Sequence, residues 1–484
     1  MANRKTKSLK EVTMVNMFWR FAERCGAQIV AFVVSVVLAR LLGPEESGQV
    51  ALAMVFITIL QVFVDSGLAN ALIQKKDSDE LDFSTVFYYN IVFCILIYSV
   101  AFALAPMVAL FYEDSSLTLL IRVLSLTIIV SGVRNVQQAY VSKKLLFKKF
   151  FLSTLIGTVL SAVVGITMAY KGFGVWALVW QQIINVAVNT LVLWFTVKWR
   201  PKKQFSFKRL KSLWAFGWKM LLSSLLNTVY NEIRQLIIGK VYSASDLAFY
   251  NKGKQLPHLV VNNINVSIDS VLFPVMSEYQ DDKQRIKSMT RRAIKTSSFF
   301  MWPIMFGLMA TSEKLISILL TEKWLPCVPF MCIFCFVYGF QPIHTANLNA
   351  IKAMGRSDLY LKMEIIKKTV GVLLILCTMN VSVLAIGISS VIYTMFAGLV
   401  NAFPNRAIIS YKYREQLCDI LPSFLLALVM GGIVHCVSYI GMNNVITLCV
   451  QVILGVIIYV VGAYLFKLEV LKFILNRVSI GKKH

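Results

Sequence analysis

Polar and ionisable side chains recur at helical spacing inside a segment that is otherwise apolar. Residues 218–240 read WKMLLSSLLNTVYNEIRQLIIGK, and the recurring positions, at spacings of four, four, four and three, are Lys219, Ser223, Asn227, Asn231 and Arg234. Such spacing places them on one face of a helix. Lysine and arginine bind phosphate, and amides exchange hydrogen bonds with hydroxyl groups. The stripe therefore predicts a face that binds a hydroxylated anion.

The following apolar segment carries a longer polar stripe. Its members, at spacings of four, three, four, three and four, are Asn251, Gln255, His258, Asn262, Asn265 and Asp269. Lys252 and Lys254 flank one end of this stripe. A helix that faced lipid would strip these groups of water, whereas a helix that lines water keeps them hydrated. We therefore expect both segments to line a central hydrophilic cavity.

Other apolar segments add isolated polar groups to the same predicted cavity. The substrate-binding candidates are Arg24, Lys219, Asn227, Asn231, Arg234, Lys252, Lys254, Gln255, His258, Asn262, Arg134 and His344. The candidates for coupling to protons or sodium are Asp65, Glu232 and Asp269. Bases outnumber acids in this set, which favours an anionic ligand. The alternative is a set of hydrogen bonds and ion pairs between helices, without a cavity.

The composition indicates the class of protein to which the chain belongs. Of its 484 residues, 57% are hydrophobic and 15% are charged, and long apolar segments follow one another with short breaks. Segments of about 20 apolar residues span membranes as helices, so we expect an all-α polytopic membrane protein. The net charge of +25 is better explained by basic cytoplasmic loops than by binding to nucleic acid.

About fourteen transmembrane helices are expected from the apolar segments. These lie near 15–42, 46–74, 84–112, 116–142, 150–170, 173–197, 212–240, 246–277, 292–320, 326–352, 358–380, 382–410, 419–441 and 443–466. The predicted domains are an N-terminal six-helix bundle at 1–197, a basic cytoplasmic linker at 198–211, a C-terminal six-helix bundle at 212–414, and two extra helices with a basic tail at 415–484.

Basic residues occur in every second break between the apolar segments. The basic breaks contain Arg4–Lys10, Lys143–Lys149, Lys198–Lys211, Lys283–Lys295, Lys352–Lys362, Arg406–Arg414 and Lys467–Lys483. The intervening breaks, such as GPEES and YEDSS, are short and hold few bases. Because basic loops remain in the cytoplasm, we expect a multi-pass membrane protein with both termini there.

A faint internal duplication supports the two predicted bundles. Residues 36–48 read VVLARLLGPEESG and residues 236–248 read LIIGKVYSASDLA. Each copy has a branched apolar run, a small residue, a base and a turn, followed by an acid at Glu46 or Asp246. Both copies run outward from a basic segment, so the repeats are expected to share one orientation in the membrane.

Motifs for catalysis or metal binding are missing from the sequence. It contains neither GxxxxGK[ST] nor HExxH, and only four histidines. Cys327, Cys332 and Cys335 form CxxxxCxxC in an apolar run, where packing as buried thiols is a better interpretation than a metal site. We therefore expect no enzymatic activity, no metal, and no cofactor apart from a coupling proton or sodium ion.

Several stretches resemble the polysaccharide-transport flippases of the multidrug/oligosaccharidyl-lipid/polysaccharide superfamily. The stretches are VVLARLLGPEESGQVALA, VDSGLANALIQKKD, VLFPVMSEYQDD and LLTEKWLPCVPFMCIFC. Within this superfamily the chain is most similar to Wzx-type exporters of the colanic-acid kind. The resemblance covers most of the chain, although the last two segments contribute little to it.

The resemblance implies two pseudo-equivalent six-helix bundles plus two carboxy-terminal helices. It also implies a flippase that moves an undecaprenyl-diphosphate-linked oligosaccharide by alternating access, with the prenyl tail remaining in the lipid bilayer. Expected partners are this substrate and the bilayer, with polysaccharide polymerase machinery as a further candidate, and the expected state is a monomer. The alternatives are a drug/cation antiporter or lipid II flippase of the same superfamily, or a membrane polysaccharide polymerase or ligase.

Overall fold

The computed structural model describes residues 26–473 apart from 66, 76 and 145, and this part of the chain contains α-helices, short 3₁₀ helices and turns but no strand. The chain divides into two units, one up to Ala248 and one from Phe249, and each is described by itself. The helices that begin in the first unit are α1 (Gly26–Leu41), α2 (Pro44–Asp65), α3 (Leu68–Gln74), α4 (Glu80–Tyr112), α5 (Ser116–Leu124), α6 (Leu126–Lys143), α7 (Phe147–Tyr170), α8 (Val175–Thr196), α9 (Phe207–Val241) and α10 (Ala244–Ser277).

The second unit begins within α10 and continues through a further set of helices. These are α11 (Lys283–Leu320), a 3₁₀ helix (Glu322–Cys327), α12 (Val328–Gly339), α13 (Gln341–Ala353), α14 (Ser357–Thr378), α15 (Val383–Ala402), α16 (Asn405–Ile408), α17 (Tyr413–Cys436), a 3₁₀ helix (Val437–Ile440) and α18 (Asn444–Leu465). The prediction of an all-α polytopic membrane protein is confirmed. The predicted domain boundaries at 197, 211 and 414 stay a prediction.

Eleven helical segments in the described part of the chain are long and apolar enough to cross a membrane. The three other long helices are α1, which has 16 residues, and α9 and α14, which contain no stretch of 18 residues that is apolar enough. All fourteen overlap the apolar segments expected from the sequence. The number of helices that cross the membrane stays a prediction.

Helix α11 is longer than the apolar segment that predicts it. It begins at Lys283 and contains 38 residues, so the basic stretch Lys283–Lys295, expected as a loop, is helical. Lysine and arginine favour helices, and Asp282 caps the start by accepting a hydrogen bond from the Arg285 N–H at 2.9 Å. At 1.5 Å per residue the helix is about 57 Å long, well beyond the hydrocarbon thickness.

Two predicted helices are each broken near their middle. The segment near 116–142 consists of α5 and α6, which meet at Ser125, and the Ser125 hydroxyl bonds back to the Ile121 carbonyl at 2.5 Å. The segment near 326–352 contains α12 and α13, which meet at Phe340, two residues before Pro342. Proline lacks an N–H donor, and serine competes for backbone acceptors. The breaks occupy the fourth helix of each predicted bundle.

Each unit has its own core. In the first unit, Leu72 of α3, Val86 of α4, Val136 of α6 and Leu193 of α8 are fully buried in one apolar cluster. In the second unit, the fully buried Trp302 of α11 is the centre of an aromatic cluster. Its ring makes edge-to-face contacts with Phe340 at 4.9 Å and Phe424 at 4.7 Å between centroids. Rings in this geometry attract each other beyond the gain from burial.

The two copies of the predicted duplication have the same local structure. In each copy a helix ends, two residues turn, and a new helix starts at Pro44 or Ala244. The Gly43 N–H donates to the Glu46 carboxylate at 2.7 Å, and the Ser243 N–H donates to the Asp246 carboxylate at 3.2 Å. The acid conserved in type between the two copies is therefore a helix cap in both.

The two copies also touch one another inside the first unit. Gly48 is buried in α2, and a methyl group added to its Cα would lie 1.8 Å from the Ala244 carbonyl oxygen. A backbone atom cannot turn aside as a flexible side chain can. Glycine at position 48 therefore allows α2 to approach the start of α10 closely.

Replacement of Gly48 with alanine is expected to lower the thermal stability of the detergent-solubilised protein. The added methyl group forces the backbones apart, which costs about 1–3 kcal/mol or more. Gly307→Ala is the matched control, because nothing lies within 4 Å of a Cβ at that helical position. Thermal unfolding followed by tryptophan fluorescence should show a lower midpoint for Gly48→Ala alone; equal midpoints would contradict the close contact.

Candidate functional site

The polar stripe predicted on residues 218–240 lies on one long helix of the first unit. Helix α9 contains 35 residues and is capped by Ser206, whose hydroxyl accepts from the Arg209 N–H at 3.4 Å. The side chains of Lys219, Asn227 and Asn231 are exposed. The opposite face packs on α2, α3 and α4. Apolar side chains of α9 such as Leu222 and Leu226 are exposed as well, so this part of the helix presents both polar and apolar groups.

The last part of the α9 stripe is less accessible. Arg234 and Glu232 are half-buried, and Glu232 accepts a hydrogen bond from the Gln235 amide. At the end of the helix, Lys240 donates to the Glu113 carboxylate at 2.9 Å, and this hydrogen bond lowers the pKa of Glu113. The two ends of α9 therefore differ: amides and Lys219 are open, whereas the later charges lie against protein.

Asp65 and Arg134 are brought together in the first unit. Asp65 ends α2 and accepts from the Gln61 amide at 3.2 Å, and its charge interacts with that of Arg134 on α6. The neighbouring Asn135 donates to the Val64 carbonyl. A predicted ion-coupling acid and a predicted substrate-binding base are thus electrostatic partners. Arg24, the candidate from the first segment, lies outside the described residues.

The predicted stripe on α10 is partly exposed. His258 and Asp269 are exposed, whereas Lys254, Gln255 and Asn262 are half-buried. The Asp269 carboxylate accepts from the Asn349 amide of α13 at 2.9 Å, and the His258 ring lies 5.5 Å from that of Tyr338. These contacts orient two members of the stripe and leave them open on one side.

Lys252 and His344 have more protein around them. The Lys252 ammonium donates to Gln255 at 3.3 Å and lies 5.5 Å from the centre of the Trp324 ring. His344 stacks on Phe340 at 6.3 Å, and neither of its ring nitrogens has a hydrogen-bond partner. The charge of Lys367 on α14 interacts with this imidazole. His344 is therefore half-buried, whereas His258 of the α10 stripe is exposed.

Sequence spacing gave no sign of an ionic cluster at the start of α4. Asp82 is fully buried and lies 2.5 Å from the Lys75 ammonium and 3.6 Å from the Arg209 guanidinium. Asp79 accepts from the Asp82 N–H at 2.9 Å, which lowers the pKa of Asp79, and Lys143 donates to the Lys75 carbonyl. Arg209 therefore connects the end of the predicted linker to α4. Spacing could not predict this contact, because Arg209 and Asp82 lie more than a hundred residues apart in the sequence.

A second ionic cluster joins α11 to α17 in the second unit. Arg291 donates to both oxygens of the buried Asp419 carboxylate, at 2.7 and 2.9 Å. The Tyr411 hydroxyl donates to the same carboxylate at 2.8 Å, and burial raises the pKa of Tyr411. Asp419 lies at the edge of an apolar segment, a signal that could have indicated a buried partner for a base.

Buried amides form a further network nearby. Asn405 donates to the side chain of Asn347 at 2.7 Å, and Asn347 donates to Gln416 at 3.0 Å. These three side chains hold α13, α16 and α17 together. In the part of the chain that the structure describes, no three His, Cys, Asp or Glu side chains lie together in a way that could hold a metal ion.

Comparisons with known proteins agree with one another about the kind of protein this chain is similar to. The profile of a family described as "Polysaccharide biosynthesis protein" matches residues 37–329. The teichuronic acid biosynthesis protein TuaB of Bacillus subtilis is 25% identical over 82% of this chain and 84% of that protein. The lipopolysaccharide biosynthesis protein WzxC of Escherichia coli is 24% identical over 74% of each chain.

Solved structures with the same fold are membrane transporters. The lipid II flippase MurJ in an inward closed conformation superposes with a TM-score of 0.77 at 14% identity, covering 93% of this chain and 98% of that one. An inward-facing multidrug resistance transporter of the MATE family has a TM-score of 0.62 at 14% identity, covering 79% and 94%. At such low identity these likenesses concern the fold alone.

Replacement of Asp82 with asparagine is expected to destabilise the protein strongly. Loss of the buried carboxylate leaves Lys75 without its counter-charge, and breaking a buried pair costs about 3–5 kcal/mol. Arg209 keeps its pair with Asp79 at 3.3 Å. Glu80→Gln, on the same helical turn, is the matched control, because the Glu80–Lys202 pair is exposed and worth at most about 1 kcal/mol. Chemical or thermal unfolding in detergent measures both variants; similar stabilities would refute the role given to Asp82.

Proposed function

Because the chain belongs to the polysaccharide biosynthesis protein family, we propose that it is a flippase for an oligosaccharide linked to a prenyl diphosphate. It moves this substrate across the bacterial cytoplasmic membrane by alternating access and catalyses no chemical reaction. The protein is a multi-pass membrane protein with both termini in the cytoplasm, in keeping with the alternation of basic and non-basic loops. It acts as a monomer.

The accessible polar stripe of α9 is the observation that carries this proposal. A charged side chain at mid-membrane costs about 2.5–3.5 kcal/mol on insertion scales, so a helix with Lys219, Asn227 and Asn231 exposed needs a hydrated surrounding. A lipid-facing helix would gain by replacing these groups with apolar ones. A transporter of a polar head group requires such a face.

The chemistry of the stripes matches the parts of the proposed substrate. Lys219 and Arg234 supply positive charge for the diphosphate, and arginine can bind two phosphate oxygens at once. Amide side chains such as Asn227 both donate to and accept from sugar hydroxyls. The exposed His258 and the half-buried Gln255 and Asn262 give α10 the same capacity. Arg24 is assigned to the diphosphate with them, as is Lys254.

The prenyl tail needs no polar contact and remains in the bilayer. Only the head group has to exchange water for protein, because the cost of moving a charged group into hydrocarbon falls on the diphosphate and the sugars. A conformational change that exposes the polar faces first to the cytoplasm and then to the outer side completes the transfer. The basic cytoplasmic loops attract the anionic substrate to the membrane surface.

The two other transporter classes considered from the sequence make different demands on the polar faces. A drug/cation antiporter needs an excess of acid, whereas the stripes and their flanks hold more bases than acids. A lipid II flippase would carry a related prenyl diphosphate, so the assay must identify the sugar. WzxC and TuaB are named for the biosynthesis of lipopolysaccharide and of teichuronic acid.

Arg234→Gln is expected to lower surface polysaccharide at least tenfold in a strain that depends on this chain, with unchanged protein in the membrane. A charge-assisted hydrogen bond contributes roughly 1.5–3 kcal/mol, and about 1.4 kcal/mol corresponds to tenfold. Arg234→Lys should retain part of the export. Lys240→Gln is the matched control, since Lys240 lies on the same helix and pairs with the exposed Glu113.

The identity of the accumulating lipid decides between the functions. Cells with Arg234→Gln should accumulate prenyl-diphosphate-linked repeat units, which lipid extraction and mass spectrometry identify. Accumulation of lipid II instead would show that lipid II, and not the prenyl-diphosphate-linked repeat unit, is the substrate. Normal export by both variants would show that the α9 face does not bind the head group.

Ion coupling is expected to depend on Glu232 or Asp269 more than on Asp65. Asp65 interacts with Arg134, so its charge has a structural partner, whereas the exposed Asp269 is held by a neutral amide. Transport into proteoliposomes should slow when the proton or sodium gradient is collapsed, and Asp269→Asn should remove that dependence. Flux that is unaltered in a collapsed gradient would exclude coupling.

A further inference from the structure

A basic depression with an apolar extension lies on the second unit, where α11 meets α17 and the turn after α18. One cavity of about 650 Å³ is lined by Arg291, Lys295, Asp419 and Lys467. A second, of about 640 Å³, shares Arg291 and Lys295 and adds Arg292. The two cavities have Glu469 and Val470 in common, so they form one surface, which we call the basic groove.

The basic groove keeps a surplus of positive charge after its internal pairs are counted. Four bases line it, and its two acids are Asp419 and Glu469, which leaves a net charge of +2. Lys295 lies 2.6 Å from Glu469 and 3.4 Å from Asp419. Arg292 stacks over the exposed Phe473 ring at 4.1 Å. The groove is therefore suited to an anion of low charge that can also donate hydrogen bonds to a carboxylate.

Backbone geometry directs one of these bases into the groove. Lys467 has a φ of +53°, in the left-handed region that residues other than glycine rarely adopt. Its N–H and that of Leu468 close the end of α18 by donating to the carbonyls of Tyr464 and Ala463. The turn folds the segment after α18 back along α11 and α17, and so places Lys467 beside Asp419 in the lining of the same cavity.

An apolar groove of about 650 Å³ continues from the basic one along α11 and α18. Phe300 lines both, and Ile304 and Gly307 of α11 face Val452 and Val456 of α18 in the lining. Phe300, Val452 and Val456 are exposed although they are large and apolar. In a membrane helix such a surface contacts hydrocarbon chains.

We infer that this surface binds an anionic phospholipid with a hydroxylated head group, of the phosphatidylglycerol type. The phosphodiester lies on Arg292 and Lys467, the head-group hydroxyls donate to Glu469, and one acyl chain occupies the apolar groove. Basic pockets between membrane helices bind anionic lipid head groups in this way. The bases of this end belong to the predicted cytoplasmic loops, so the lipid comes from the inner leaflet.

The charge balance favours an anionic lipid over a zwitterionic one. A phosphodiester brings one negative charge, which the surplus of the basic groove more than neutralises. A diphosphate brings two, which the same surplus would match, so the carrier is the competing ligand that the experiment must separate from the phospholipid. A zwitterionic head group would present an ammonium to a surface that is already positive. The inference stands apart from the proposed transport function, because it concerns a lipid that remains bound.

Native mass spectrometry of the purified full chain tests the head-group site. Nanodiscs containing phosphatidylglycerol and phosphatidylethanolamine in equal parts provide the lipids, and undecaprenyl diphosphate is the competitor. We expect retained phosphatidylglycerol in the unaltered protein and roughly thirtyfold weaker retention in Arg292→Gln/Lys467→Gln. Lys412→Gln/Arg414→Gln, which removes equal charge from exposed positions near the start of α17, should retain the lipid.

The acyl-chain site is tested by filling it. Gly307→Leu puts a side chain into the apolar groove, and nothing lies within 4 Å of its Cβ, so folding is unaffected. It should lower phosphatidylglycerol retention, whereas Gly432→Leu, at an equally open helical position on α17, should not. Thermal unfolding of each variant shows that the fold is intact.

Three results would overturn the inference. If the unaltered protein retained phosphatidylethanolamine as well as phosphatidylglycerol, the positive charge of the groove would not select the lipid. Equal losses in the matched controls would make the binding nonspecific. Displacement by undecaprenyl diphosphate with the same dependence on Arg292 and Lys467 would make the groove a site for the carrier.

Discussion

A polar group inside a bilayer must find a partner in the protein or in water, and this constraint organises the whole chain. Buried Asp82 is neutralised by Lys75 and Arg209, and buried Asp419 by Arg291 and Tyr411. Amides such as Asn347 and Asn405 satisfy one another. Lys219 and Asn231 on α9 are exposed instead. This contrast is the basis for proposing that α9 carries a face for a ligand, whereas the buried groups hold helices together.

The architecture could be predicted from the sequence because hydrophobic length is a local property. Every long helix of the described part overlaps an apolar segment, and alternate basic breaks mark the connections between them. The breaks at Ser125 and Phe340 were missed, since a continuous apolar run looks the same whether or not the helix is interrupted. The start of α11 was missed for the opposite reason. The first turns of α11 are basic, so the apolar segment in the sequence begins well after the helix itself has begun.

The candidate site could be predicted only in part. Spacings of three and four predict Lys219, Asn227 and Asn231 on one helix face, and all three are exposed on α9, while their role as a binding face stays a prediction. Spacing carries no information about interactions between distant segments, so it treated Asp65 and Arg134 as separate groups although their charges interact. For the same reason, spacing did not predict that Arg209 lies beside Asp82. Charges that belong to the site and charges that hold helices together have the same appearance in a sequence, and only their neighbours in space distinguish them.

The contact between Gly48 and Ala244 has a consequence for how the duplicated segments can diverge. Gly48 lies in α2 and Ala244 begins α10, so a larger side chain at position 48 would displace the backbone of the second copy. A substitution that puts a larger residue at position 48 must be accompanied by a movement of the backbone at the start of α10. The two segments can therefore not change independently at this point.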